Sequence, residues 1–344
     1  RRIAAVSVCR YLQQQMTKTH GVAADLIAYK MRFEDTVTPA SAIKIMTDGI
    51  LLQEIKIDPE LNEYQVVVVD EAHERSLNID FTLGLLKQVL NRRKDIRIVV
   101  SSATINAEIF SAYFDSCPIV RLDSRAFPVD VRYRPVNPVN DSESTLAEIV
   151  EVVTEIDQAG LPVDILIFLS GERDIRECIA TLRSLSLNQS LVTLPLFARL
   201  SNDEQQWAFD HYPGRRKVVV ATNIAETSLT IDGIVSVIDP GRAKINSYDP
   251  RTFTTSLTEM LVSRASCDQR KGRAGRTQPG VCYRLYERQS FDNRPEFTEE
   301  EILRTDLTEV VLRMADLGID DFENFDFISP PGRRHIQSAM DSLH

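Results

Sequence analysis

The sequence predicts an α/β fold made of two parallel-sheet lobes followed by the start of a small helical domain. Runs rich in valine and isoleucine alternate with amphipathic stretches, as expected when parallel strands are joined by crossover helices. The alternation occurs on both sides of a segment at 123–144 that is rich in Pro, Asn and Asp. We therefore place the boundary between the lobes in this segment.

The first half is predicted to contain two strands and a helix between them. Residues 65–70 form an apolar run that ends in an acid, and residues 96–104 form a second run of strand type. Residues 81–90 carry apolar side chains at helical spacing. The two strands would therefore be parallel neighbours joined by a crossover helix.

The second half repeats this pattern and adds a helical tail. Strands are predicted at 129–133, 164–169, 192–197, 217–222 and 234–239, and helices at 173–182 and 203–209. Residues 244–261 alternate around a Tyr-Asp-Pro turn, which predicts a hairpin. One amphipathic helix is predicted over 300–319, and another begins after Pro330 and Pro331.

Composition, cysteine pattern and net charge restrict the classes of protein to which the chain can belong. The 344 residues are 43% hydrophobic, which suffices for two cores and part of a third. No apolar stretch reaches the roughly 18 residues of a membrane span, and five scattered cysteines without a C-x-x-C pair predict reduced thiols in a cytoplasmic protein. A net charge of −10 argues against a generally basic nucleic-acid surface, but a local basic groove stays compatible with it.

The acidic pair Asp70 and Glu71 follows the first apolar run directly. Ligands of open α/β sheets bind beyond the carboxyl ends of the strands. One acid there is placed to bind Mg²⁺, and the next to orient an attacking water. The alternative is a strand that ends in ordinary loop acids, which would be favoured for an isolated pair. His73 follows, without the second histidine of an HExxH zinc motif.

Polar residues crowd the chain after the run at 217–222. Thr222 and Asn223 end that run, and a polar cluster that includes Ser228 and Asp232 follows. Burying so many polar groups is costly unless they bind something. The alternative is a loop whose polar groups satisfy one another.

The run at 269–276 holds four cations, a carboxamide and two glycines. Arginines on a glycine-broken turn suit a polyphosphate, because each planar guanidinium grips two oxygens at once. The alternative, a solvated basic helix face, is disfavoured because glycine weakens a surface helix. Further candidates for contacts to a phosphodiester chain, each of which taken singly is more often plain surface, are Arg1, Arg2, Arg32, Thr47, Asp48, Gly49 and Arg199.

Seven segments together resemble motifs Ia, Ib, II, III, IV, V and VI of the DEAH-box RNA helicases of superfamily 2. They occur in that order and span nearly the whole chain: RRIAAVSV, MTDGILLQE, DEAHERSLNIDF, SSAT, ILIFLSGERDI, VVVATNIAETSLTIDG and QRKGRAGR. Three more segments resemble the bacterial HrpA-type branch: SGERDI, LFARLSNDEQ and RPEFTEEEILRTDL.

The resemblance implies RecA-like lobes at 1–124 and 125–293 and the start of a winged-helix domain at 294–344. It implies that ATP and Mg²⁺ bind between the lobes and that single-stranded RNA crosses both. The hairpin at 244–261 would separate strands.

The resemblance also implies a role for each candidate residue. Asp70 and Glu71 would bind magnesium and activate water, with His73 beside them. From the second lobe, Gln269 would position the water and Arg273 and Arg276 would act as arginine fingers. Ser228 would sense the nucleotide and Asp232 would reach the ribose, while the RNA backbone would be held by Arg1, Arg2, Thr47, Thr222 and Asn223.

Two departures from the family pattern matter. The phosphate-cradling Gly-Lys-Ser/Thr loop, which the family places just upstream of Arg1, does not occur in this sequence. The sequence therefore predicts a fragment that hydrolyses ATP negligibly by itself. Tyr11 stands where the family often has arginine, facing an aromatic equivalent to Phe209. Stacking of adenine between these rings would discriminate weakly, which predicts use of other nucleoside triphosphates as well.

The function predicted from the sequence is therefore an ATP-dependent RNA helicase core, acting as a cytoplasmic monomer without membrane association. One alternative is a helicase-like remnant that binds RNA without hydrolysis. Another is a DNA helicase on the same frame, because backbone contacts do not distinguish the two nucleic acids.

Overall fold

The computed structural model describes residues 2–21, 23–103, 107–122, 127–136, 141–160, 163–185, 187, 190–226, 231–249 and 252–343. It has the α/β fold that the sequence predicts. The chain forms two compact units. The first comprises 1–121, 246–256 and 299–344, and the second comprises 122–245 and 257–298. The predicted three-domain division stays a prediction.

Strands and α-helices alternate from residue 48 to residue 221 of the described chain, with runs of strands or helices before and after. The strands are β1 (Ile27–Met31), β2 (Glu34–Asp35), β3 (Ile43–Met46), β4 (Val66–Val69), β5 (Arg97–Val100), β6 (Val129–Tyr133), β7 (Asp164–Phe168), β8 (Leu191–Leu196), β9 (Arg216–Ala221), β10 (Ile234–Asp239), β11 (Arg242–Asp249), β12 (Thr254–Leu261) and β13 (Gly280–Arg284). The helices are α1 (Arg2–His20), α2 (Asp48–Ile57), α3 (Leu77–Arg92), α4 (Ala107–Tyr113), α5 (Asp141–Gln158), α6 (Glu172–Arg183), α7 (Asn202–Gln206), α8 (Arg264–Gly272), α9 (Arg288–Asp292), α10 (Glu301–Arg304), α11 (Thr308–Asp316) and α12 (Arg333–Leu343).

The second unit is built on a six-stranded sheet of order β6-β13-β10-β7-β9-β8, in which all neighbours are parallel. Every residue of β9 and β10 is buried. Because both faces of a parallel sheet are covered, these strands are rich in valine and isoleucine. Apolar side chains of α5 and α6, among them Val152 and Ile175, pack with β7 and β9 in one core.

The first unit contains a small sheet of order β2-β1-β3 and the parallel pair β4–β5. Helix α3 lies in a core that it shares with α10, α11 and α12. The Phe81 ring contacts Phe325 and Phe327, with ring centroids 5.5 and 6.4 Å away. Gly84 allows this packing, because a Cβ at that position would overlap the Phe325 ring.

Most predicted elements are confirmed, with shifted ends. The strand predicted over 96–104 ends at Val100, and the helix predicted over 81–90 begins earlier, at Leu77. It begins there because the Ser76 side chain accepts the Ile79 N–H at the helix N-terminus. The hairpin is confirmed by the pairing of β11 with β12.

The single helix predicted over 300–319 is wrong. The segment forms two helices, α10 and α11, separated by a turn. In that turn Oδ1 of Asp306 accepts hydrogen bonds from the N–H and the hydroxyl of Thr308, at 2.9 and 2.6 Å. A short acidic side chain that bonds the backbone ahead of it competes with a continuous helix. Apolar periodicity continues through the break, which is why the pattern predicts one helix.

The cysteines agree with the prediction of reduced core thiols. All five are free; Cys9, Cys178, Cys267 and Cys282 are buried, and Cys117 is half-buried. Burial raises the pKa of Cys178 to about 12, which keeps that thiol protonated. The described part of the chain contains no helix long and apolar enough to span a bilayer.

The ion pair between Arg216 and Asp157 lies in the core of the second unit, and its removal tests that core. Its atoms Nη1 and Oδ1 are 2.9 Å apart, and the two side chains are 0% and 1% exposed. We expect Arg216→Met to lower the free energy of unfolding by about 3–5 kcal/mol, because the buried Asp157 carboxylate would lose this cation. Urea denaturation measures the change.

The matched control is Arg132→Met. Arg132 pairs with Asp130 at the same distance, but the side chains are 54% and 60% exposed. An exposed pair contributes up to about 1 kcal/mol. Equal losses for the two variants would contradict the assignment of Arg216 to the core.

Candidate functional site

The acidic loop of the first unit, residues 70–75, leaves the sheet where two parallel strands end together. Val69 and Val100 are register partners, so Asp70 and Ser101 emerge at the same edge. The Ala72 N–H donates to the Ser101 carbonyl oxygen at 3.0 Å. The Ala103 N–H donates to Nδ1 of His73 at 3.2 Å. These bonds tie the loop to the chain that follows β5.

The His73 side chain links that anchor to Glu71. Because Nδ1 accepts a hydrogen bond, the proton of the neutral imidazole lies on Nε2. Nε2 is 3.3 Å from Oε2 of Glu71, within ion-pair distance although the angles are not those of a hydrogen bond. His73 is thus placed to orient the Glu71 carboxylate.

The backbone of this loop is strained. Glu71 and Arg75 have φ values of 54° and 46°, in the left-handed region that costs a non-glycine residue roughly 1–2 kcal/mol. The Arg75 guanidinium forms a two-point bond with buried Asp80, at 2.7 and 2.9 Å. This bond opposes relaxation of the strained turn.

The oxygen atoms at this edge fit a magnesium ion. Mg²⁺ is usually held by one or two carboxylates, with water and substrate phosphates completing its shell. Asp70 is exposed, Glu71 is half-buried, and the buried Ser102 hydroxyl has no hydrogen-bond partner among the described atoms. The described residues contain no group of three or more His, Cys, Asp or Glu side chains that could hold a metal. Phosphate oxygens would therefore have to supply part of the shell.

In the second unit, the buried guanidinium of Arg270 joins the loop after β9 to the end of β10. Glu226 accepts from Nε and Nη2 of Arg270 at 2.7 and 2.5 Å and from the Ser266 hydroxyl at 2.8 Å. Asp239 accepts from Nη1 of Arg270 at 2.7 Å. Burial lowers the pKa of Arg270, but the two carboxylates raise it further, so that the net shift is upward. The cation is permanent.

Aromatic groups complete this network. The Arg270 guanidinium lies 4.8 Å from the centroid of Phe168, at the end of β7. The Tyr286 hydroxyl donates to Oδ2 of Asp239 at 3.1 Å. Burial, and next the Asp239 charge, raise the pKa of Tyr286, so it stays a donor. The network fixes α8 to three neighbouring parts of the sheet.

The two predicted arginine fingers meet at one recess of the second unit. Arg273 is buried and donates from Nη2 to the carbonyl oxygen of Glu226, whereas Arg276 is exposed. Both line the recess together with Leu166, Ala225, Ile231 and Ile234. Two guanidinium groups beside one recess suit a polyphosphate.

The other predicted nucleotide contacts are placed separately. Gln269 is half-buried on α8, Asp232 is exposed before β10, and Phe209 is half-buried in the turn after α7. Tyr11 is 60% exposed on α1 in the first unit. Ser228 lies outside the described residues. The Tyr11–Phe209 sandwich therefore stays a prediction.

Some predicted RNA contacts come together at one sheet edge. Leu196 of β8 and Ala221 of β9 are register partners, and the Thr222 N–H donates to the Leu196 carbonyl at 3.1 Å. Arg199 follows β8, and Asn223 follows Thr222; Arg199 and Asn223 are both exposed.

The remaining predicted RNA contacts lie in the first unit. Thr47 precedes α2, and Oδ1 of Asp48 accepts the Gly49 N–H at 2.8 Å. A Cβ added at Gly49 would have no neighbouring atom within 4 Å, so the space beside Gly49 at the start of α2 is open. The Arg32 guanidinium is exposed, 5.3 Å from the Phe33 centroid. Arg1 lies outside the described residues, as does the side chain of Arg2.

The sequence reasoning missed Arg270 and Arg75 as the anchors of the two sites. A signal for Arg270 was present: Asp239 ends a largely apolar strand, and a buried acid requires a cation. Arg75 carried no comparable signal, because its partner Asp80 has the spacing of an ordinary first-turn helix acid.

All three comparisons with known proteins find helicases. Residues 146–278 match the helicase conserved C-terminal domain. Over 344 residues the chain is 48% identical to the ATP-dependent RNA helicase HrpA of Borreliella burgdorferi, covering all of this chain and 41% of that protein. It is 48% identical over 342 residues to HrpA of Escherichia coli, of which it covers 26%. The crystal structure of Escherichia coli DEAH/RHA helicase HrpB matches the whole chain with a TM-score of 0.86 and 32% identity, over 43% of that structure.

Arg270→Lys tests the buried network. Lysine keeps the charge but offers no planar fork, so bonds to Glu226 or Asp239 are lost in a dry site. We expect the free energy of unfolding in urea to fall by about 3 kcal/mol. Lys271→Arg, at a neighbouring half-buried position, should change it by less than about 0.5 kcal/mol. A harmless Arg270→Lys exchange would contradict the assigned network.

Proposed function

We infer from its similarity to HrpA and HrpB that this chain belongs to the HrpA-type helicases, and we propose that it is the core of an enzyme that couples ATP hydrolysis to movement along single-stranded RNA. It spans less than half the length of the relatives it matches. The observation that carries the proposal is the hydrogen-bond network around Arg270. Glu226 of this network also accepts a hydrogen bond from Arg273, and Arg273 and Arg276 line the same recess.

In the proposed reaction, the acidic loop activates water. Asp70 helps to bind Mg²⁺, which when present neutralises charge on the phosphate oxygens. Glu71 accepts the proton of the attacking water. His73 supports this role, because its Nε2 faces the Glu71 carboxylate.

The guanidinium groups of the second unit act in the same hydrolysis reaction. Arg273 and Arg276 stabilise the negative charge that develops on the transferred phosphoryl oxygens. Such stabilisation depends on donors that are already in place, and the Arg270 network supplies that rigidity. Gln269 positions the water, Ser228 responds to the nucleotide, and Asp232 contacts the ribose.

RNA binding is proposed for both units. Arg199, Thr222 and Asn223 contact the sugar-phosphate backbone at the second unit. Thr47, Asp48 and Gly49 do so at the first, where they form the start of α2. Directed movement follows when hydrolysis changes which unit holds the strand tightly.

A second candidate function is RNA binding without hydrolysis. It would use the same exposed residues at the sheet edge, Arg199 and Asn223, without the recess beside Arg273 and Arg276. The two candidates differ in whether the complete gene product turns over ATP.

Arg276→Ala in the complete gene product tests the finger role. Turnover of ATP should fall roughly a thousandfold or more, with RNA affinity nearly unchanged. Arg288→Ala is the control, since that arginine is 76% exposed on α9 and pairs only loosely with Asp292, at 3.8 Å. Near-normal turnover by Arg276→Ala would refute the role.

Arg199→Ala tests the RNA edge. Loss of one phosphate contact should weaken RNA binding at all sequences and reduce the slope of log K against log salt by about 1. Arg215→Ala is the control, because Arg215 precedes β9 and so lies at the opposite, amino edge of the sheet. If both variants bind RNA like the parent across a salt titration, Arg199 is not a contact.

A further inference from the structure

The acidic loop of the first unit is held by α10 as well as by β5. The Glu301 N–H donates to the Arg75 carbonyl at 3.2 Å. The Glu301 carboxylate accepts the Leu77 N–H at 2.8 Å. Leu77 begins α3, so this N–H has no partner inside its own helix and favours an anion. One residue of α10 thus fixes the chain on both sides of Ser76.

The Arg75 side chain provides a second link between the acidic loop and the helical segment that contains α10. Its Nη1 lies 3.2 Å from Oε1 of Glu300, and its Nη2 donates to the Ser329 hydroxyl at 2.8 Å. Its Nε and Nη2 also donate to buried Asp80. The guanidinium therefore ties the end of the acidic loop to the helical segment at 299–343.

These contacts bear directly on Glu71. Glu71 and Arg75 bound a short turn and both have left-handed backbones, so the turn has a strained conformation that its surroundings must impose. On one side, Ala72 and His73 bond to the chain after β5. On the other side, the restraint comes from Glu300 and Glu301. Release of either side would let Glu71 move.

We propose that Glu301, assisted by Glu300, is a positioning residue for the Glu71 carboxylate, which makes the helical segment at 299–343 a working part of the hydrolytic site. The inference rests on the proposed function. Movement of α10 would then change the rate of hydrolysis without any contact between α10 and the nucleotide.

Glu301→Ala in the complete gene product is the direct test. Displacement of Glu71 should lower kcat for ATP about 10- to 100-fold, while KM for ATP and the Kd for RNA stay within about twofold. Hydrogen exchange of residues 70–77 should become faster. Arg75 is less suitable for the test, because its loss would leave Asp80 buried and unpaired.

Two further variants make the result specific. Glu301→Gln keeps an oxygen that accepts the Leu77 N–H, so it should retain most of the turnover and the exchange protection. Glu323→Ala removes an acid of the same segment that pairs with Arg333 at 3.5 Å, and should change neither quantity.

The inference is overturned if Glu301→Ala leaves kcat and exchange of residues 70–77 unchanged. It is also overturned if kcat, KM and exchange throughout the first unit all deteriorate together, because that result indicates general destabilisation. If the parent protein itself hydrolyses no nucleoside triphosphate, the proposed function fails, and exchange still decides whether Glu301 holds the loop.

Discussion

The candidate chemistry of the second unit depends on one buried charge, the guanidinium of Arg270. Glu226, Asp239 and the Phe168 ring surround it, so every side of the cation is either bonded or packed. A buried charge is tolerated only when its partners are all present. This requirement fixes the loop after β9 and the helix α8 relative to each other, and Arg273 is held by the same loop.

The acidic loop of the first unit is also held in place by a buried ion pair, and its backbone is strained. The loop turns through two left-handed residues directly after β4, and Arg75 with Asp80 anchors the end of that turn. In both units, some candidate site residues follow the carboxyl ends of adjacent parallel strands, Asp70 after β4 in the first unit and Thr222 after β9 in the second. That common placement follows from sheet geometry, because parallel strands deliver their ends to one edge.

The sequence predicted the sheets better than it predicted what holds the sites. Buried strands such as β9 and β10 are visible as apolar runs, and the acids after β4 stand out at a strand end. The acid Asp239 signalled that a buried cation is needed, but not which cation of 269–276 supplies it, because Arg270, Arg273 and Arg276 look alike in a charge run. Burial of Arg270 is decided by Asp239, 31 positions away. The break between α10 and α11 was missed because the Asp306 side chain, which bonds Thr308 there, does not interrupt the hydrophobic spacing.

We propose that this chain is the core of an ATP-dependent RNA helicase whose hydrolysis of ATP is coupled to RNA binding. The most direct measurement is steady-state ATP hydrolysis by the complete gene product, with and without single-stranded RNA. Our account predicts slow turnover that rises severalfold or more as RNA is added and saturates with RNA binding. Tight RNA binding without any accompanying rise in hydrolysis would contradict it and would favour a protein that only binds RNA.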